Sequence, residues 1–208
     1  MPGMNLPYLL EAALMAIVLL FSVIVHEVAH GYVALLNGDA TAKMLGRITL
    51  NPAPHIDPIG TIILPLLLLI THAGILFGWA KPVPVNPLNY RNYRWGEFAV
   101  SAAGPVSNLA LAALFAILLR LGISNPGLVQ MAYFGVSIII FLALFNLIPI
   151  PPLDGSQILA LVLPRELARL YAYLQPVGFV LILILFYTGI MGAVLMPLYR
   201  QIALFMLG

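Results

Sequence analysis

The sequence lacks cysteine and contains few charged residues. The absence of cysteine from all 208 residues excludes disulfides, thiolate metal ligands and a cysteine nucleophile. Charged residues make up only 8% of the chain and give a net charge of +2, too little positive charge for a nucleic-acid-binding surface. Hydrophobic residues make up 62%, more than a soluble domain carries. The composition therefore predicts an integral membrane protein whose main surroundings are the lipid bilayer.

Long apolar runs dominate the chain. Five of them approach the roughly 20 residues that cross a bilayer, at residues 9–36, 59–77, 98–121, 128–148 and 176–195. The connections between them are too short for a soluble domain, so a single membrane domain covering residues 1–208 is expected. The first eleven residues lack the basic residues of a secretory signal, and the first run is expected to remain in the mature protein.

The run at 59–77 decides the membrane topology. Short cytoplasmic loops collect lysine and arginine. If the run crosses the membrane, four lysines and arginines lie on one side and five on the other, which is no bias. If the run enters the membrane and returns to the same side, seven lie on one side and two on the other. Pro58, Gly60 and Pro65 are breaks that favour a re-entrant or interfacial segment. A plain spanning helix is the alternative. The re-entrant topology places the N-terminus outside and the chain that follows His30 in the cytoplasm.

Three ionisable residues lie inside the first apolar run, in the sequence HEVAH at 26–30. On a helix, His26 and His30 project from one face and can bind one metal ion, while Glu27 lies beside them. A carboxylate in that place can take a proton from an attacking water and return it to a leaving amine. Ionisable groups in a membrane span are costly and typically mark a functional site. The alternative is a chance match on a helix without a metal.

Two histidines leave a hydrolytic zinc site short of a third protein ligand. The strongest candidate is Asp154, because the sequence PIPP at 149–152 must break the helix just before it, and broken membrane helices line sites rather than lipid. Asn146 stands at the start of the unwound stretch and can donate and accept hydrogen bonds. Alternatively, Asp154 only caps the helix that starts near Gly155.

Three motifs in this order, HEVAH at 26–30, AGPVSN at 103–108 and NLIPIPPLDG at 146–155, resemble the site-2 protease family of intramembrane zinc metalloproteases, in its short prokaryotic form without PDZ or CBS domains. The resemblance implies one Zn²⁺ per chain, bound by His26, His30 and Asp154. It also implies Glu27 as the catalytic base and Asn146 as a group that steadies the substrate carbonyl or oxyanion.

The resemblance further implies cleavage of peptide bonds in or near transmembrane segments of membrane proteins, in a multi-pass protein of a prokaryotic cell membrane. Two rival functions use the same residues. A membrane zinc carrier or sensor would bind the metal without hydrolysis, but it has no need for Glu27 beside the ligands. A noncatalytic scaffold for membrane proteins would tolerate the loss of zinc.

Two segments between the first run and residue 98 resemble short strands, at 42–51 and 78–86. Candidate substrate-binding positions on them are Gly46, Ile48, Trp79 and Val83, because an edge strand near the metal can hold a substrate segment extended. An ordinary interfacial loop is the alternative for each. The expected fold is thus an all-α bundle of about 4–6 transmembrane helices, with a re-entrant or interfacial segment and short β-strands near the active site.

Three further polar residues fall outside the motifs. His55 and Asp57, in NPAPHIDPIG at 51–60, are candidates for a pair that supports the metal ligands, for a gate contact or for an interfacial turn. A fourth protein ligand would displace the water that hydrolysis requires, which argues against direct metal binding by either residue. His72 is expected to be a polar end of the apolar run.

Overall fold

The computed structural model describes residues 6–71 and 78–208. Their helices are α1 (Leu6–Leu36), α2 (Thr41–Met44), α3 (Leu64–Ile70), α4 (Tyr93–Arg120), α5 (Pro126–Asn146), α6 (Asp154–Val162), α7 (Arg165–Ala172), α8 (Gly178–Tyr187) and α9 (Ile190–Leu207). Short 3₁₀ turns at Ala53–His55 and Pro87–Asn89 and a π-helical turn at Pro58–Ile63 lie between α2 and α4.

Four of the described helices are long and apolar enough to cross a membrane: residues Ala13–Leu36 of α1, and α4, α5 and α9. The first three agree with the predicted runs at 9–36, 98–121 and 128–148. The predicted span at 176–195 is wrong. Gly189 adopts a left-handed conformation with φ +76° and separates the ten-residue α8 from α9, so the crossing length is reached only in α9.

Helix α4 is the centre of the packing, because α1, α5 and α6 all contact it. Its apolar side meets α5 in a core where Ala112, Val136, Ile139 and Ile140 are completely buried. Large apolar side chains on the outward faces stay exposed, as Leu114 does, which is the pattern expected where lipid replaces water as solvent. Helix α4 also contacts α1 and α6, and the polar residues discussed below lie at these contacts.

The described part of the run at 59–77 consists of the π-helical turn and the seven-residue α3. Trp79, which follows the run, lies beside the residues at the start of the run. Its N–H donates to the Gly60 carbonyl at 3.1 Å, and its carbonyl accepts from the Thr61 hydroxyl at 2.8 Å. The indole ring also lies against Gly60, where a Cβ would overlap it. Residues 60 and 79 are therefore at the same level of the molecule.

The two predicted strands are not present among residues 6–71 and 78–208. In the first segment the chain forms α2 and then turns at Gly46, whose φ is +64°. The second segment is extended but has no strand partner, since Pro82 and Pro84 have no N–H for a ladder. Both segments instead pack on α1: a Cβ on Gly31 would lie 2.9 Å from Val83 and 3.4 Å from Ile48.

The predicted helix break before Asp154 is confirmed. Helix α5 ends at Asn146, residues 147–153 form turns, and α6 begins at Asp154. Close packing of the two sides of the break requires glycine at position 155, because a Cβ there would overlap the carbonyl group of Leu147. This contact fixes the start of α6, and with it the position of Asp154.

Candidate functional site

Helix α1 places His26 and His30 one turn apart on the face that meets α4. Their Nε2 atoms are 3.0 Å apart, and the rings meet edge to face with centroids separated by 4.6 Å. Both rings are buried, with 5% and 9% of each residue exposed. His30 lies six residues before the end of α1, about 9 Å along the axis. The pair therefore lies in the half of the helix nearer to the connection to α4.

Asp154, the first residue of α6, lies next to the two histidines. Its Oδ2 atom lies 3.1 Å from Nε2 of His26 and 3.4 Å from Nε2 of His30. The side chain is 13% exposed, and Oδ2 has no hydrogen-bond partner among the described residues. Helix α6 begins at Asp154 itself, with Leu153 as the preceding N-cap residue. The three residues form the only group of this kind found among residues 6–71 and 78–208.

The spacing of the three atoms fits a zinc ion. Ligand atoms about 2.0–2.1 Å from a tetrahedral zinc are about 3.3 Å from each other, and the observed separations are 3.0, 3.1 and 3.4 Å. Two imidazoles and one carboxylate are also the ligand set of many hydrolytic zinc sites, which keep the fourth position for water. The residues present therefore fit the metal that the motifs imply.

A backbone carbonyl of α4 fixes the tautomer of His30. The Nδ1 atom of His30 lies 2.7 Å from the carbonyl oxygen of Val100. Since a carbonyl oxygen only accepts, Nδ1 must carry the proton. The lone pair of the neutral ring is then on Nε2, which faces His26 and Asp154. A hydrogen bond to the other ring nitrogen is the usual way in which proteins orient a metal-binding histidine.

The amide of Asn108 does the same for His26. Asn108 is completely buried in α4, and its side chain lies 3.2 Å from Nδ1 of His26. With the nitrogen of the amide facing the ring, Oδ1 is buried without a partner among the described residues. Turning the amide by 180° lets Oδ1 accept a proton from Nδ1, and we assign this orientation because it satisfies both groups. Nε2 of His26 then also carries a lone pair toward the cluster.

Gly104 gives the His26 ring its space. A Cβ built on Gly104 would lie 2.6 Å from both Nδ1 and Nε2 of that ring, well inside contact distance. Gly104 and Asn108 are one turn apart on the same face of α4. This face therefore contributes no ligand but determines where the ring of His26 lies.

Glu27 is half-buried beside the cluster and makes one specific contact. Its Oε2 atom accepts a hydrogen bond of 2.7 Å from the backbone N–H of Val83. Val83 is 56 residues away, in the extended segment that crosses α1. The carboxylate is thus held at one oxygen by a group that does not belong to the metal cluster.

The remaining predicted residues have local roles in the structure. The amide of Asn146 donates to the Leu142 carbonyl of its own helix at 2.9 Å. His55 is completely buried, with Nε2 2.9 Å from the Thr49 carbonyl oxygen. Asp57 caps the π-helical turn by accepting from two backbone N–H groups. His72 lies outside the described residues. Neither His55 nor Asp57 belongs to the metal-binding group, and their side chains contact residues close to them in sequence.

Sequence reasoning missed the contributions of α4 and of the extended segment. The motif AGPVSN at 103–108 contributed only to the family resemblance and to no site residue. The Val100 carbonyl and the Val83 N–H are backbone groups, and no residue type in the sequence signals them. Asn108 was the one available signal, because an amide in an apolar span requires a partner.

Comparisons with known proteins find a family model and several relatives that are similar to this chain. Residues 121–185 match the model of "Peptidase family M50". The chain is similar to "Putative zinc metalloprotease YwhC" of Bacillus subtilis, with 41% identity over 202 residues that cover 93% of this chain and 86% of the relative. No solved structure matches the chain significantly.

Two further relatives carry the same kind of name. "Putative zinc metalloprotease Rip2" of Mycolicibacterium smegmatis is 31% identical over 176 residues, which cover 81% of this chain and 64% of the relative. "Putative zinc metalloprotease MJ0611" of Methanocaldococcus jannaschii is 39% identical over 89 residues, which cover 41% of this chain and 46% of the relative. Since the similarity to the Bacillus protein extends over nearly the full length of both chains, this protein belongs to peptidase family M50, the site-2 protease family that its motifs resemble.

Proposed function

We propose that the protein is an intramembrane zinc metalloprotease that hydrolyses peptide bonds in or next to the transmembrane segments of other membrane proteins. The observation that carries the proposal is the convergence of His26, His30 and Asp154, with Glu27 adjacent to it, inside a bundle of apolar helices. We assign one Zn²⁺ per chain to these three ligands, and we treat residues 1–208 as one catalytic domain.

Zinc bound at these ligands would polarise the scissile carbonyl and lower the pKa of water to about 7. The residues of the chain supply the rest of the chemistry. Glu27 has one oxygen held by the Val83 N–H, so its other oxygen is available to accept a proton from the attacking water. The same carboxyl then donates this proton to the departing amine. Asn146, at the end of α5, is assigned to the substrate carbonyl through the amide hydrogen that does not bond to Leu142.

The depth of the site is consistent with a membrane substrate. His30 lies one to two turns inside the end of α1, and the chain between α1 and α4 leaves from that end. In the re-entrant topology, seven of the nine basic residues lie on this side of the membrane, which we assign to the cytoplasm. The return of the chain from Gly60 to Trp79 supports the same topology. A substrate helix would need to unwind before its carbonyls became accessible.

The proposal is tested by metal analysis and by cleavage of a model transmembrane peptide in detergent or liposomes. Glu27→Gln should retain zinc and lose cleavage, whereas Asp154→Ala should lose both. Glu166→Gln is the matched control, because Glu166 lies in α7 with 83% of its side chain exposed and pairs with Arg169 of the same helix. Full cleavage by Glu27→Gln would refute the mechanism. Zinc binding by the wild type without cleavage of any membrane peptide would favour the carrier or sensor.

A further inference from the structure

The extended segment 79–86, here called the strap, lies directly over the catalytic half of α1. Val83 at its centre is buried, and its Cγ1 atom would be 2.9 Å from a Cβ on Gly31. Gly31 directly follows the HEVAH motif. The absence of a side chain there lets the strap approach the helix backbone, in the same way that Gly104 makes room for His26.

A buried arginine holds the first half of the strap. Arg47 is 8% exposed, and its Nη2 atom donates to the carbonyls of Lys81 at 2.7 Å and Pro82 at 3.2 Å. The Lys81 N–H in turn donates to the His55 carbonyl at 2.8 Å. Because charged donors make the stronger hydrogen bonds, the Arg47 contacts fix the strap just before Val83.

A buried aspartate holds the other end. Asp39 is completely buried, and its carboxylate accepts from the Asn86 N–H at 2.6 Å and from the Asn89 amide at 2.8 Å. It also accepts from the N–H and the hydroxyl of Thr41. Burial acts to raise the pKa of Asp39, but the hydrogen bonds from Thr41, Asn86 and Asn89 outweigh it and the pKa is lowered. The ionised side chain therefore ties the strap to the loop that follows α1.

The centre of the strap offers one donor. Pro82 and Pro84 have no N–H, so Val83 carries the only backbone donor of residues 82–84, and it donates to Oε2 of Glu27 at 2.7 Å. The donors of Trp79, Lys81 and Asn86 are used within the protein as well. A substrate strand would find few unused N–H groups along this segment, which argues against the predicted strand addition at Trp79 and Val83.

We propose that the strap is a positioning element for the catalytic base: the Val83 N–H holds one carboxylate oxygen of Glu27, while Arg47 and Asp39 hold the strap in place. This inference rests on the proposed proteolytic function. An unrestrained glutamate on a half-buried helix face samples several rotamers. One oxygen fixed by a rigid backbone donor leaves the other pointing in a defined direction, as proton transfer requires. The positioning residues are thus Val83, Arg47 and Asp39, none of which belongs to the metal cluster.

Replacement of one amide tests the inference. Val83→Pro removes the donor in a segment that already has proline on both sides, and Val83→Ala removes side-chain contacts while keeping the donor. Loss of a group that orients a catalytic residue typically costs about 10–100-fold in activity. We expect a fall of this size in kcat for Val83→Pro, with KM changed by less than about threefold, zinc content unchanged and a clearly smaller loss for Val83→Ala. Equal losses in the two variants would overturn the proposal.

A second substitution covers the case in which Val83→Pro fails to fold. Arg47→Lys keeps the charge but not the paired contacts with the carbonyls of Lys81 and Pro82. It should lower kcat with zinc retained and with KM nearly unchanged. A proportional loss of zinc and activity would instead mean that Arg47 only stabilises the fold.

Hydrogen exchange tests the contact without reference to activity. A peptide from the strap contains few exchangeable amides because two of its residues are proline, so the Val83 amide contributes a large share of its signal. Glu27→Ala should accelerate exchange in this peptide, while the exposed control Glu166→Ala should not. Unchanged exchange in Glu27→Ala would overturn the positioning role. If the wild type cleaved no membrane peptide, the proposed function would fail, but the exchange result would still decide whether the strap holds Glu27.

Discussion

Substitution of Gly104 by alanine should weaken metal binding, although Gly104 has no side chain that could bind the metal. The added Cβ would lie 2.6 Å from Nδ1 and Nε2 of His26, whereas carbon and nitrogen atoms in contact are about 3.5 Å apart. The ring must therefore move by about 1 Å, or α1 and α4 must separate by that distance. Either change moves Nε2 of His26 away from His30 and Asp154.

The magnitude follows from what restrains the ring. His26 is fixed at Nδ1 by Asn108 and at Nε2 by the cluster, so it cannot shift without losing one of these contacts. Perturbation of a group that orients a metal ligand costs about 10–100-fold in metal affinity, which corresponds to about 1.4–2.8 kcal/mol. Overpacking adds about 1–3 kcal/mol of lost stability in the absence of metal.

Competition with a chelator of known affinity measures the effect on the purified protein in detergent, and thermal unfolding measures the change in stability. Gly192→Ala in α9 is the matched control, because a Cβ at Gly192 meets no atom within 4 Å. Removal of a helical glycine should leave zinc affinity unchanged and raise stability by up to about 1 kcal/mol. If Gly104→Ala bound zinc as tightly as the wild type, the idea that α4 positions the ring of His26 would be refuted.

Three further substitutions test other parts of the arrangement. Asn108→Leu removes the partner of His26 while keeping the branching and the number of heavy atoms of the side chain, and zinc affinity measured by the same competition should fall about tenfold or more. Gly155→Ala places a Cβ on the backbone of Leu147, so both zinc content and cleavage should be lost. Asp39→Asn should lower the melting temperature at neutral pH. Because the pKa of Asp39 is lowered in the folded state, its contribution is present above the unfolded-state pKa of about 3.9 and lost as pH falls below it, so the difference between the two proteins should shrink in melts recorded below pH 4.

The three candidate ligands could be chosen from the sequence because each carries a local signal, and the structure brings them together. The spacing of His26 and His30 fixes a common helix face, and the membrane setting makes an unused ionisable trio improbable on energetic grounds. Asp154 follows a run of prolines that no helix can accommodate. In each case the physical constraint lies within about ten residues of sequence, and the structure forms the break before Asp154 as expected.

The failed predictions concern interactions between distant residues. Extended-prone residues among helix breakers predicted strands at 42–51 and 78–86, but a strand also needs a partner with free donors and acceptors. Arg47 and Asp39 occupy the backbone groups of the second segment instead. The predicted span at 176–195 failed at Gly189, where apolar composition continues on both sides of a left-handed turn. The apolar composition of a segment indicates that it is compatible with lipid, but it does not indicate where the backbone turns.

The geometry also explains why a site with ligands from α1 and α6 needs α4. A neutral imidazole binds a metal through one nitrogen only if the other carries the proton, and inside a membrane that proton needs an acceptor. The Val100 carbonyl and the Asn108 amide supply the two acceptors from positions about two turns apart on one helix. Gly104 lies between them and lets the His26 ring approach α4 closely. Helix α4 therefore sets the tautomer of both histidines, and a substitution on its polar face should act on metal binding before it acts on the fold.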